Sequence, residues 1–178
     1  STLVMVFISV PSYVYAFLVQ YIFCFKLGWF PLQLASLSQA GSLFSGTMFV
    51  SMIPAIMSLS FGVIAGFTRY TRAELSEVLT GDYMLLARTK GLTKAQAISR
   101  HAMRNAMVVI LPMIIGEFIG ILGGSMIIEN IFGIPGIGNL YISSINVRDY
   151  NFFMALIVFY TFIGLASGIV IDISYGFI

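Results

Sequence analysis

An all-α, polytopic membrane bundle is the fold this sequence predicts, and three observations predict it. Of 178 residues, 59% are hydrophobic and 9% charged, with a mean hydropathy of +0.99. So little polar surface cannot coat a soluble globule, and lipid is the solvent that fits. Four apolar runs reach the roughly 20 residues a helix needs to cross a hydrocarbon core about 30 Å thick. The basic residues gather between the second and third of those runs, an asymmetry that assigns the sides of a membrane.

The first run, about residues 3–25, and the second, about 46–67, carry no charge; the third, about 106–128, carries only Glu117; the fourth, about 152–172, ends at Asp172. In lipid each can satisfy its backbone only as a helix. Pro11, Pro54 and Pro112 fall inside the first three runs and predict kinks. Glycines four apart (Gly62/Gly66, Gly116/Gly120, Gly164/Gly168) suit close helix packing of a generic kind. Of the nine basic residues, Arg69, Arg72, Arg88, Lys90, Lys94, Arg100 and Arg104 lie between runs two and three, while Lys26 and Arg148 stand alone in the other loops. That central loop and both ends of the fragment are therefore expected on the cytoplasmic side, with about 26–45 and 129–150 outside. Trp29, Tyr141 and Tyr150 suit the external interface. Ser1 opens almost directly on an apolar run, with no basic n-region or cleavage site, so the expectation is a chain that begins mid-protein and not a signal peptide. Cys24, the single cysteine, excludes an internal disulfide and reads as a small buried thiol. A net charge of +2 makes no electrostatic case for nucleic acid.

Residues 68–105 are too long and too well punctuated for a simple connector. Thr71 with Glu74, and Thr93 with Gln96, match capping boxes; Gly81-Asp82 marks a break with an N-cap; Gly91 stands where a helix would end. Three short helices are expected. The second covers about 83–90; the third starts after Thr93 and runs on into the third span, with Ala95, Ile98, Ala102, Ala106 and Val109 on one side and Lys94, Arg100 and Arg104 on the other. A basic face held to anionic headgroups, at about 1 kcal/mol per basic residue, would explain the charge but not the folding. A helix-glycine-helix unit between two spans makes better sense as a lever gripped by a cytoplasmic partner.

The run Glu77-Val-Leu-Thr-Gly-Asp-Tyr-Met-Leu-Leu-Ala-Arg-Thr-Lys-Gly-Leu, followed by Arg100-His-Ala-Met-Arg-Asn-Ala, resembles the cytoplasmic EAA loop of the oligopeptide, dipeptide and nickel branch of ATP-binding-cassette importer permeases. Ile128-Glu-Asn-Ile-Phe-Gly-Ile-Pro-Gly-Ile-Gly, Asn146-Val-Arg-Asp-Tyr, the stretch around Gly28-Trp-Phe-Pro and Asp172-Ile-Ser-Tyr extend the resemblance over nearly the whole fragment. The general importer motif has Glu-Ala-Ala before the glycine and a later Ile-x-Leu-Pro. Here those positions read Leu85-Leu86-Ala87 and His101-Ala102-Met103-Arg104, and only Ala87 and Gly91 survive, which narrows the subfamily.

The resemblance implies a type I importer permease: one transmembrane domain over 1–178, holding four of the usual six spans, truncated at both ends, in a prokaryotic inner or plasma membrane. It implies that the helix around Asp82 to Gly91 is the coupling helix. Tyr83, Leu86 and Ala87 would be its knobs, Arg88 and Lys90 would pair with acidic residues of an ATPase subunit, and Arg100, His101 and Arg104 would complete the contact. The implied partners are a second homologous permease, two ATPase subunits and an external solute-binding protein, with membrane lipid around them. No cofactor is expected on this chain, and ATP and Mg would sit on the ATPases; no phosphate-cradling G-x-x-x-x-G-K-[ST] loop occurs here. The expected work is alternating access for peptides or similar small solutes.

Other residues offer competing readings. Glu117, a carboxyl inside a span, would line the solute path or serve a proton-coupled secondary carrier, the main alternative; a carboxyl hydrogen-bonded to a neighbouring helix is the plainer role. His101 has no second ligand at metal spacing, so packing or partner contact fits better than a metal. Gly133-Ile-Pro-Gly-Ile-Gly is apolar and suits a tight re-entrant turn near the pore mouth better than a phosphate site. A membrane anchor without transport would leave the capped loop unexplained.

Overall fold

The computed structural model describes residues 2–176, without the side chains of Thr2, Leu3, Tyr83, Leu85 and Arg88. Among the described residues every regular element is helical, as a chain that must satisfy its own backbone in lipid requires. Internal contacts divide it into two units: Ser1–Ala65 with Gly123–Thr161, and Gly66–Leu122 with Phe162–Ile178.

The first expected span is not one helix. Helix α1 (Thr2–Ser9) stops before Pro11, which has extended ψ (148°), and α2 (Ser12–Val19) starts afresh and runs into a π-helical turn at Gln20–Lys26. Proline has no N–H to give the preceding turn, so the chain breaks there instead of bending. The π turn has a visible consequence. Hydrogen bonding five residues on brings Val19 and Cys24 to one side, and both are buried. Across the break, Phe7, Tyr15 and Phe61 stack with centroids 5.4–5.8 Å apart, and the Tyr15 hydroxyl donates to the Phe7 carbonyl at 2.8 Å.

After a short α3 (Leu37–Ala40), α4 (Gly46–Thr80) is a single 35-residue helix. At 1.5 Å per residue it is about 50 Å long, well beyond the hydrocarbon thickness. The helix therefore runs on past Phe67, where the apolar run ends, and the expected capping box at Thr71 and Glu74 does not form. Between Phe67 and Gly81 no glycine or proline stops the helix, and Ala, Leu, Arg and Glu favour its continuing. Pro54 stays inside it, beside the Ser58 hydroxyl, which donates to the Pro54 carbonyl at 2.7 Å.

Helix α5 (Asp82–Thr89) leads to α6 (Lys94–Ala97), a π turn (Ile98–Ala102) and α7 (Met103–Gly120), which closes in a 3-10 turn at Ile121–Gly123. The third span ends here, short of Ile128, because Gly124 takes φ +69° and turns the chain. Helices α8 (Met126–Phe132) and α9 (Ile137–Asn146) follow as a hairpin, then α10 (Tyr150–Tyr175). Among the described residues, three helical stretches, Gly46–Thr80, Lys94–Gly123 and Tyr150–Tyr175, are long and apolar enough to cross a membrane, where four were expected. Of the paired glycines, only Gly116 has a close neighbour, Ile171, 3.4 Å from where a Cβ would stand; the others in those pairs face open space.

Candidate functional site

The loop between α4 and α7 belongs to the second unit and has a core of its own. Val78 at the end of α4, Met84 and Ala87 on α5, and Ala97 and Ala102 on the next helix are all buried together, with Leu75, Leu92 and Ile98 packed against them. Ala97 and Ala102 are five apart; the π turn between them places both inward at 0% exposed. Alanines at these positions let α5 lie close to α6.

Local chemistry fixes the ends of these helices. Thr93 accepts from the Gln96 N–H at 3.4 Å while Gln96 Oε1 accepts from the Thr93 N–H at 3.1 Å, the expected capping box. Gly91 has φ +79°, and the Leu92 N–H donates to the Ala87 carbonyl at 3.3 Å, a Schellman close that also brings Leu92 onto the core. Replacing Thr93 by Ala should cost about 1 kcal/mol of local stability, read as faster amide exchange in α6; unchanged exchange would show that the cap contributes nothing.

Periodicity then sorts the candidate residues. Met84 and Ala87 point inward, whereas Asp82 and Leu86, four apart along α5, and Lys90, just past its end, are exposed. Leu86 is 56% exposed although apolar. Ala87, at 3% exposed, packs into the loop's own core. Arg100, His101 and Arg104 are exposed on the following helix, and Lys94 joins them. The side chains of Tyr83 and Arg88 lie outside the described ones. Asp82, in the first turn of α5, complements the helix dipole. Glu117 is exposed on α7.

The first unit holds a feature that the residue pattern did not disclose. Glu129, only 7% exposed, is an acceptor for two backbone N–H groups: Ser125 at 3.0 Å to Oε1 and Asn139 at 2.8 Å to Oε2. The turn between α8 and α9 closes at Gly133, in the left-handed region, with the Ile134 N–H donating to the Glu129 carbonyl at 2.8 Å. The expected tight turn is there, flanked by helices. Ile128 and Phe132 are 1% exposed against Ala16 and Ala55. Gln20 Nε2 donates to the carbonyls of Leu32 (3.0 Å) and Ile131 (3.2 Å), and the Leu34 N–H donates to that of Phe132 (2.9 Å), so the hairpin is stitched to the stretch after α2.

The whole chain, residues 1–178, matches the family described as the binding-protein-dependent transport system inner membrane component. It is 38% identical over 166 residues to the dipeptide transport system permease protein DppB of Lactococcus lactis subsp. cremoris, covering 93% of this chain and 51% of that protein. It is 32% identical over 171 residues to the oligopeptide transport system permease protein OppB of Haemophilus influenzae (96% and 53% covered). Against the glutathione transport system permease protein GsiC of Shigella boydii serotype 4 it is 32% identical over 168 residues (94% and 51%). The chain spans about half the length of these curated relatives. Dependence on a binding protein leaves the proton-coupled carrier centred on Glu117 without support. The chain belongs to the family of binding-protein-dependent transport system inner membrane components.

Proposed function

We propose that this chain is part of a permease subunit of an ATP-binding-cassette importer and forms the translocation path for peptides or similar small solutes. Residues 1–178 act as one transmembrane domain, with the central loop and both fragment ends in the cytoplasm. It works beside a second homologous permease, two ATPase subunits carrying ATP and Mg, and an external solute-binding protein. The chain itself performs no chemistry and holds no cofactor.

The observation that carries this reading is the folded loop of the second unit. A short helix, closed at its C-terminal end by Gly91 and packed through Met84 and Ala87, can be moved as a rigid body, and its outer side offers Leu86 and Asp82, with Lys90 just past its end. A loop that only met lipid headgroups would need neither the core nor the caps. Closure of the ATPases on nucleotide would pull α5. That pull would pass into α4 through Val78 and into the helical run Lys94–Gly123 through Ala97 and Ala102, toggling the permease between inward-open and outward-open states. In relatives the printed names include dipeptide, oligopeptide and glutathione transport, which supports small peptides as the solute class.

The test is Leu86→Glu in the full-length protein expressed with its partners. Because Leu86 is exposed, the loop should keep its protease resistance, while ATPase copurification and nucleotide-driven uptake fall about tenfold or more. Normal copurification and uptake would remove α5 from the contact.

A further inference from the structure

We infer that Glu129 is a positioning residue for transport: its carboxylate, held between the first turns of α8 and α9, fixes that hairpin in one arrangement. This rests on the permease reading above, in which the hairpin lies at the external side of the solute path.

The geometry is that of a staple. The N-cap of α9 is Gly136, which has no side chain to cap the N–H groups of the first turn. The missing acceptor comes from outside the helix, as Glu129 Oε2 receives the Asn139 N–H, while Oε1 receives the N–H of Ser125, the N-cap of Glu129's own helix. One anion thus closes the starts of two helices.

The backbone makes room for it at three glycines. A Cβ on Gly124 or Gly136 would collide with the Glu129 carboxylate, and one on Gly138 would stand 2.9 Å from Oε2. With both oxygens engaged and the residue buried, Glu129 is not free to grip a passing ammonium group. Its role is to hold the backbone, and a charge-assisted bond to each N–H is the stronger kind.

The experiment uses the full-length protein with its partner subunits in proteoliposomes, short labelled peptides as solute, and loaded binding protein as the varied component. Glu129→Gln, which puts an N–H where an acceptor is needed, should lower kcat about tenfold or more while leaving KM within about twofold. Ser144, 2% exposed on α9, supplies a reporter through the substitution Ser144→Cys. An impermeant maleimide should label that thiol faster in Glu129→Gln and Glu129→Ala than in the parent. Formate, a free carboxylate, should restore both protection and uptake to Glu129→Ala; loss of packing alone would not respond to it.

Parent-like kcat with a protected Ser144→Cys thiol would overturn the proposal. So would a rise in KM at unchanged kcat, the mark of a solute ligand, or failure of formate to restore protection. If Glu129→Ala does not accumulate in the membrane, Glu129→Asp, which keeps the charge and shortens the reach, gives the same two readouts. Absence of nucleotide-driven uptake in the parent would count against the permease reading instead, and the labelling arm would still decide whether the carboxylate holds the hairpin.

Discussion

Replacing Ala87 with Arg is expected to unfold the loop between α4 and α7 and, with it, to abolish nucleotide-driven uptake. Ala87 is 3% exposed among Val78, Met84, Ala97 and Ala102, all of them apolar. An arginine there must either be desolvated without an anion or pry α5 away from α6. Either route costs about 3 kcal/mol or more, comparable to the whole stability of so small a core. The measurement is limited proteolysis of residues 68–105 in membranes, alongside ATPase copurification. Both should be lost together, in contrast to Leu86→Glu, which should lose only the second. A loop that resists protease with Arg at 87 would show that Ala87 faces a partner after all.

That contrast marks what could be read from the residues and what could not. The break at Gly81-Asp82, the box at Thr93 and Gln96, and the stop at Gly91 were legible because each is a bond or a backbone angle decided within a few residues. The same logic misfired at Thr71 and Glu74. A capping pattern is permissive, and without a preceding breaker the helix simply ran through it. The burial of Ala87 was not legible for a different reason: eight residues give too short a period to tell the two faces of α5 apart. The useful signal was the pair Ala97 and Ala102, small residues on the next helix whose spacing of five makes sense only with a π turn.

The long apolar runs marked the membrane helices but not their ends. Hydropathy is blind to φ, so the third run seemed to continue through Gly123 and Gly124, where the backbone turns into the hairpin. Glu129 was missed altogether as a functional residue. Its two donors lie four residues before it and ten after, on either side of a turn, and no local pattern joins them. What the sequence did contain was the company it keeps: three glycines within the same short stretch, whose absent side chains leave space for a carboxylate.

Those glycines give the second large effect, and here two physical tendencies oppose each other. Gly138 lies in the first turn of α9 with no positive φ, so helix propensity alone says that Gly138→Ala should stabilise by about 1 kcal/mol. Packing says otherwise. The new methyl would sit 2.7 Å from both the Cα and the N of Met126, which are backbone atoms in the first turn of α8, and 2.9 Å from Glu129 Oε2. A flexible side chain could yield; these atoms cannot without parting the two helices and drawing Asn139 off the carboxylate. Overpacking against fixed atoms costs about 1–3 kcal/mol and the broken charge-assisted bond adds to it, so the net change should be destabilising. Gly164→Ala on α10, where a methyl meets open space, is the matched control and should be neutral or slightly stabilising. Thermal unfolding of the two purified variants separates the arguments: Gly138→Ala should melt several degrees below the parent and expose the Ser144→Cys thiol, while Gly164→Ala should do neither. Equal melting temperatures would mean that α8 and α9 are not held at this distance, and the staple at Glu129 would have nothing to hold.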